Sequence, residues 1–141
     1  VGHTLNDPKY VYADILIALA QIDGTIHPAE RALLDGILGT MNLDAETLEQ
    51  MWLTPRTPDV GAAIPREISD KNYRNCLLKD AYLLASADDV MKPTEVAFLA
   101  QLREHMQVDS ETHSTIHNWV QAAIDQARIA EKLFGATPAY I

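Results

Sequence analysis

The chain has 141 residues, 48% apolar and 22% charged, which is the composition of an ordinary globular domain and not of a disordered segment. Eleven Lys and Arg against twenty Asp and Glu leave a net charge of -9, a field that repels a phosphate backbone or an anionic lipid surface and argues against nucleic acid as a partner. At this length one core buries roughly two-thirds of the surface of the unfolded chain, so a single domain over residues 1–141 needs neither disulfide nor metal merely to stay folded.

The opening residues hold no basic segment leading into an apolar one, and no secretory leader is expected. Asp7 followed by Pro8 reads as the cap and first turn of a helix. Its apolar positions Val11, Ile15, Leu16, Leu19 and Ile22 recur at three and four residues, the period of a helix buried on one side, and Gly24 is its stop. This apolar stretch runs about twelve residues and contains Asp14, too short for the roughly twenty that a membrane span requires. A second helix opens at Pro28 and carries Leu33, Leu34, Ile37, Leu38 and Met41. Asp44 caps a third, with Leu48, Met51 and Trp52 on its apolar side.

From Thr54 to Pro65 the segment TPRTPDVGAAIP forbids a continuous helix and reads as a linker with at most one short turn. Helical pattern resumes at Ser69 or Asp70 and runs through Tyr73, Leu77, Leu78, Ala81, Leu84 and Ala85. Another helix begins at Pro93 with Phe98, Leu99, Leu102 and Met106. The last, capped by Asp109 or Ser110, continues through Ile116, Val120, Ile124 and Leu133 to Gly135, the residue that ends helices most readily. Nothing alternates as a strand would, so the expected class is all-α.

Cys76 has no internal disulfide partner, and its neighbours Leu77 and Leu78 predict a buried thiol in a reducing, cytoplasmic setting. Tyr10, Tyr12, Tyr73, Tyr82, Trp52 and Trp119 fall mostly at helical spacing and are assigned to the core. Tyr140, after Pro138, stands apart as a residue that could dock on another copy, and the long last helix is a candidate surface for a homodimer.

Shifted by 65 residues, the segment Ala13 to Trp52 aligns with Leu78 to His117, and eleven of the forty positions are identical, where random matching gives about two or three. Asp23 meets Asp88, Pro28 meets Pro93, Glu30 meets Glu95, Met41 meets Met106, and Asp44 meets Asp109. Each half therefore reads as helix, acidic turn, helix, capped helix. Two such units cannot bury their apolar faces separately and should pack about a pseudo-twofold axis.

In both copies a carboxylate ends the first helix and another lies in the first turn of the second: IDGTIHPAE and ADDVMKPTE. Glu30 and Glu95 are good helix chemistry, since a glutamate two residues after an N1 proline can satisfy early amides and favours the positive end of the helix dipole. Asp23 and Asp88 face the negative end, an arrangement that calls for a positive group nearby. A cation held by Asp23 with Glu30, and by Asp88 with Glu95, would supply it. The string from Asp23 to Glu30 also coincides with part of an EF-hand loop, but Leu19 and Gln21, with Leu84 and Ser86 in the second copy, stand where the first and third ligands belong.

These motifs, ALAQIDGTIHPAERALLDGI answered by LLASADDVMKPTEVAFLAQL, resemble the A-D-G-x-[IV]-x-x-x-E pattern of the TerB family of tellurite resistance proteins, over about Tyr10 to Leu133. The resemblance implies an all-helical bundle of about seven helices in two pseudo-symmetric halves. It implies a non-enzymatic protein of metal or stress response, acting with other tellurite resistance or stress-response proteins at the membrane surface. The family's acidic positions fall on Asp23, Glu30, Asp88 and Glu95. Ile22 departs from the pattern's small residue, and Asp89 replaces its second glycine, which an aspartate can do in a left-handed turn at some cost. Asp89 adds an oxygen donor, so the second junction is expected to bind a divalent cation (calcium, magnesium or manganese, zinc being less suited) more readily than the first.

His113 and His117 are four apart on one helix face, a spacing that can hold zinc, but no third ligand is evident. Their repeat counterparts Leu48 and Trp52 place them at a partly buried seam; His105 precedes the turn, and His27 reads as a surface or capping residue. No nucleophile with an activating base, phosphate-cradling glycine loop or HExxH occurs. Two other classes stay open: an interaction scaffold whose acids only cap helices or pair with residues such as Arg31 or Lys79, and a small hydrolase using paired carboxylates.

Overall fold

The structure, a computed structural model, describes residues 7–22, 26–53, 70–87 and 92–135. Among these residues it is all-helical, with six helices and no strand. They are α1 (Pro8–Gln21), α2 (Pro28–Gly39), α3 (Ala45–Leu53), α4 (Lys71–Ala85), α5 (Pro93–Met106) and α6 (Ser110–Phe134). The linker expected over 54–65, the stop at Gly24, and Tyr140 lie outside the described residues.

The starts follow the capping chemistry of the sequence. Asp7 accepts from the Lys9 amide at 3.1 Å, and Asp70 from the Tyr73 amide at 3.1 Å. Asp44 and Asp109 each accept both the amide and the hydroxyl of the threonine three residues on. The bonds from Thr112 hold the Asp109 carboxyl below its ordinary value. Prolines occupy the first turns of α1, α2 and α5, where no amide partner is lost. His27 caps α2 by accepting from the Ala29 amide at 3.1 Å, and its ring is exposed.

The ends were less legible. Asn42 and Gln107, 65 residues apart, are both left-handed, with φ of 54° and 56°. Asparagine adopts this conformation readily, whereas glutamine does so at a cost, and neither is the glycine that marks such a turn in a sequence. Gly135, at φ 66°, ends α6 as expected.

Helix α1 is buried on every side through its middle, from Tyr10 to Ala20 with Asp14 the one half-buried residue. The one-sided helix expected from periodicity is therefore corrected. Helices α2, α3 and α4 all pack on α1, and Ala13, Ala18 and Ala20 fill positions where a larger side chain would hold those neighbours away. Helix α4 is the second centre, packing on α1, α2, α5 and α6. Leu77, Leu78, Leu84, Leu99 and Leu102 join α1 in one core, while Leu83, Val120 and Ile124 make a smaller seam between α4 and α6. Long-range hydrogen bonds fasten the periphery. The Asp44 amide donates to the Tyr10 hydroxyl at 2.9 Å, Gln21 donates to the Trp52 carbonyl at 2.9 Å, and Arg74 to the Met106 carbonyl at 3.2 Å.

Two burial expectations are overturned. Cys76 is exposed, because neighbours on a helix point about 100° apart and the buried pair Leu77 and Leu78 fixes a different face. Trp119 is 49% exposed, its ring lying beside the Lys79 ammonium at 5.7 Å. Trp52, by contrast, packs partly buried against the core with the Arg31 guanidinium 4.0 Å over its ring. Leu16→Ala, at a fully buried site on α1, is expected to cost about 3 kcal/mol in urea unfolding, and Cys76→Ser less than about 0.5 kcal/mol.

Candidate functional site

Of the five acids singled out by the repeat, Asp23, Asp88 and Asp89 lie outside the described residues. Glu30 and Glu95 are described, each in the first turn of its helix behind an N1 proline, and both are buried, at 5% and 1% exposure. A carboxylate is buried at low cost only where donors meet it. Glu95 reaches back to accept from the Lys92 amide at 3.0 Å, satisfying one of the donors that a helix start leaves over and lying at the positive end of the dipole. The chemistry visible at α5 is thus that of a cap.

The fit of a metal ion can be judged from this donor set. Among the described residues no group of three or more His, Cys, Asp or Glu converges. Glu30 and Glu95 fit a cation only as one ligand each, with Asp23 at the first junction and Asp88 and Asp89 at the second supplying the rest. An EF-hand is disfavoured further, since Leu19 and Leu84, at ligand positions of that loop, are core residues at 1% and 0% exposure.

Of the two histidines on α6, His113 lies at a partly buried seam and His117 is exposed. Tyr82 on α4 and His113 share a hydrogen bond of 2.7 Å between the phenol and Nε2. The exposed His117 ring stands 6.3 Å from His113 and edge-on to Tyr82 at 5.9 Å. Burial pushes the His113 pKa below its ordinary 6.5, and Arg103 and His117 push it the same way. His105 is half-buried on α5.

A further polar constellation escaped the sequence reading. Tyr12 on α1 donates a short hydrogen bond to Asp80 on α4, which is 6% exposed, and Lys79 stands 3.2 Å from the other carboxylate oxygen. Burial first, and then the charge of Asp80, drive the Tyr12 pKa far above the tyrosine range, so the phenol stays a donor. The signal was present in the repeat, where Asp80 occupies the position that Ile15 holds in the first copy. Arg31 pairs with the exposed Asp35 at 3.1 Å.

A depression of about 250 Å³ separates the start of α4 from the turn between α5 and α6. Its Asp109 and Thr112 are bonded to each other, and its Arg74 to the Met106 carbonyl, so its polar lining serves the turn.

No family model, no curated protein and no solved structure matches the chain.

Tyr12→Phe should destabilise the protein by about 1–3 kcal/mol, by leaving a buried carboxylate without its donor, and Tyr12→Phe with Asp80→Leu should recover most of that loss; denaturant unfolding of the double-mutant cycle checks both. Because the folded-state pKa of His113 is depressed, its contribution to stability is fully present above 6.5 and is lost as pH falls below it. Denaturant midpoints measured from neutral pH downward should fall with acid in the parent and fall less in His113→Gln.

Proposed function

We propose that the chain is a non-enzymatic, TerB-like helical domain of tellurite resistance or metal stress response. In this reading it binds a divalent cation, a protein partner, or both through its two acidic helix junctions. It is a cytoplasmic bundle of about seven helices arranged as two pseudo-symmetric halves. The observation that carries the reading is the pair Glu30 and Glu95, equivalent in the repeat and both buried at a helix start behind an N1 proline. Two local likenesses support the halves: the aspartate-to-threonine caps of α3 and α6, and the left-handed residues Asn42 and Gln107.

At the second junction Glu95 holds the start of α5, and in this reading Asp23, Asp88 and Asp89 bring the negative charge that a cation would meet. Calcium, magnesium or manganese would neutralise that charge with oxygen ligands; zinc, which favours nitrogen and sulfur, suits the donors less well. The hydrogen bond from the Lys92 amide to Glu95 favours a second reading, an interaction scaffold in which the glutamates are structural caps alone.

Thermal unfolding in EDTA, and then with millimolar calcium, magnesium, manganese or zinc, separates the two. A cation at a hundred times its dissociation constant should stabilise the fold by about 2.7 kcal/mol, a rise of several degrees in Tm. That rise should disappear in Asp88→Asn and shrink in Glu95→Gln. No shift with any metal establishes the scaffold.

A further inference from the structure

Three side chains that can ligate a metal ion meet where α4 packs on α6. His113 and His117 are one helical turn apart, the spacing at which two imidazoles reach a common ion. Tyr82 enters from α4, its phenol oxygen 2.7 Å from Nε2 of His113. The three rings form a nearly regular triangle, with centroids 5.6 Å, 5.9 Å and 6.3 Å apart. The helix junctions offer carboxylate oxygen, whereas this corner offers two nitrogens and one phenol oxygen, a donor set that suits a softer ion.

We infer that His113, His117 and the Tyr82 oxygen form a copper(II) site on the open side of the seam between α4 and α6. The distances carry it. Two ligand atoms at right angles about an ion, each roughly 2.0–2.1 Å from it, stand about 2.9 Å apart, and at the tetrahedral angle about 3.3 Å. The 2.7 Å between Tyr82 and His113 is nearer the first. An ion that accepts right-angled ligands can therefore take the place of the hydrogen these two atoms share, with little movement of either ring. Copper(II) accepts them, and among divalent first-row ions it binds nitrogen and oxygen sites most tightly. Zinc favours the tetrahedral angle and fits less well.

Two imidazoles on one ion have centroids roughly 4.5 to 6.4 Å apart, from the right-angled to the opposite arrangement. The 6.3 Å between His113 and His117 lies at the upper end of that range. His117 is exposed, so its ring turns toward the ion without displacing the core, and water completes the coordination. On binding, copper forms two bonds to nitrogen and one to the phenol oxygen, and the shared hydrogen leaves to water as a proton. Arg103 on α5 is a cation whose charge reaches both Tyr82 and His113. The ionised phenol offsets it once that proton has gone, and the net charge of -9 draws cations to the whole chain.

The test is a copper(II) titration of the full chain against a competing indicator. A background of His3→Ala and Cys76→Ser removes two competing copper donors. One equivalent should bind, and Tm should rise by several degrees at saturation. Electron paramagnetic resonance should show splitting from two nitrogens, and a phenolate-to-copper absorption should appear in the visible. His117→Ala, at an exposed position where the fold is retained, should weaken binding at least about tenfold. Tyr82→Phe should also weaken it and should abolish the visible band. Asp88→Asn should change neither, which separates this site from a cation at the helix junctions. Copper affinity that survives His117→Ala overturns the inference. So does a Tyr82→Phe variant that binds copper as tightly as its parent, or a spectrum with one nitrogen and no visible band.

Discussion

The packing of α1 against α4 is the contact on which the other helices depend. Helix α1 carries α2 and α3, helix α4 carries α5 and α6, and α2 also reaches α4. The interface is almost wholly apolar, which supplies stabilisation without direction: Leu16, Leu77 and Leu78 would tolerate small slips along the helix axes at little cost. Tyr12 and Asp80 supply the direction. A buried carboxylate has to meet its donor, so a displacement of α1 relative to α4 by even part of a turn strands it, and the pair selects one register among several of similar apolar burial.

Around this centre the periphery is built from one repeated local device. Aspartates cap α1, α3, α4 and α6 and His27 caps α2, a proline at the start of α1, α2 and α5 removes an amide that would have no partner, and at α5 a glutamate satisfies another. The device solves a local problem at small cost, and it also concentrates acidic side chains at the helix junctions. Negative charge is thereby placed where helices meet, while the second half of α6 is left neutral and apolar.

The seam of Tyr82, His113 and His117 adds a different behaviour. Its phenol-to-imidazole hydrogen bond spans α4 and α6, and the histidine is held neutral by burial and by the Arg103 charge. Adding a proton to this imidazole costs more in the folded protein than in water, so the contact between α4 and α6 weakens as pH falls.

What the sequence determined by itself was local. The helix starts at Pro8, Pro28, Ala45, Lys71, Pro93 and Ser110 were legible because a cap involves groups two or three residues apart, and the stop at Gly135 because glycine alone takes a left-handed turn freely. The repeat, and with it the equivalence of Glu30 and Glu95, was legible for the same reason. Which face of each helix is covered was decided only by tertiary structure. Periodicity marks α1 as apolar on one side, yet its middle from Tyr10 to Ala20 is buried on every side apart from Asp14; Cys76 looks buried beside two leucines, yet faces solvent; Trp119 has core spacing, yet lies half outside. Neither the left-handed turn at Gln107 nor the pairing of Tyr12 with Asp80 could be read from the residues alone. The first depends on the approach of flanking helices, and the second joins groups 68 positions apart, whose meeting is fixed by the crossing of α1 and α4 and by nothing local to either.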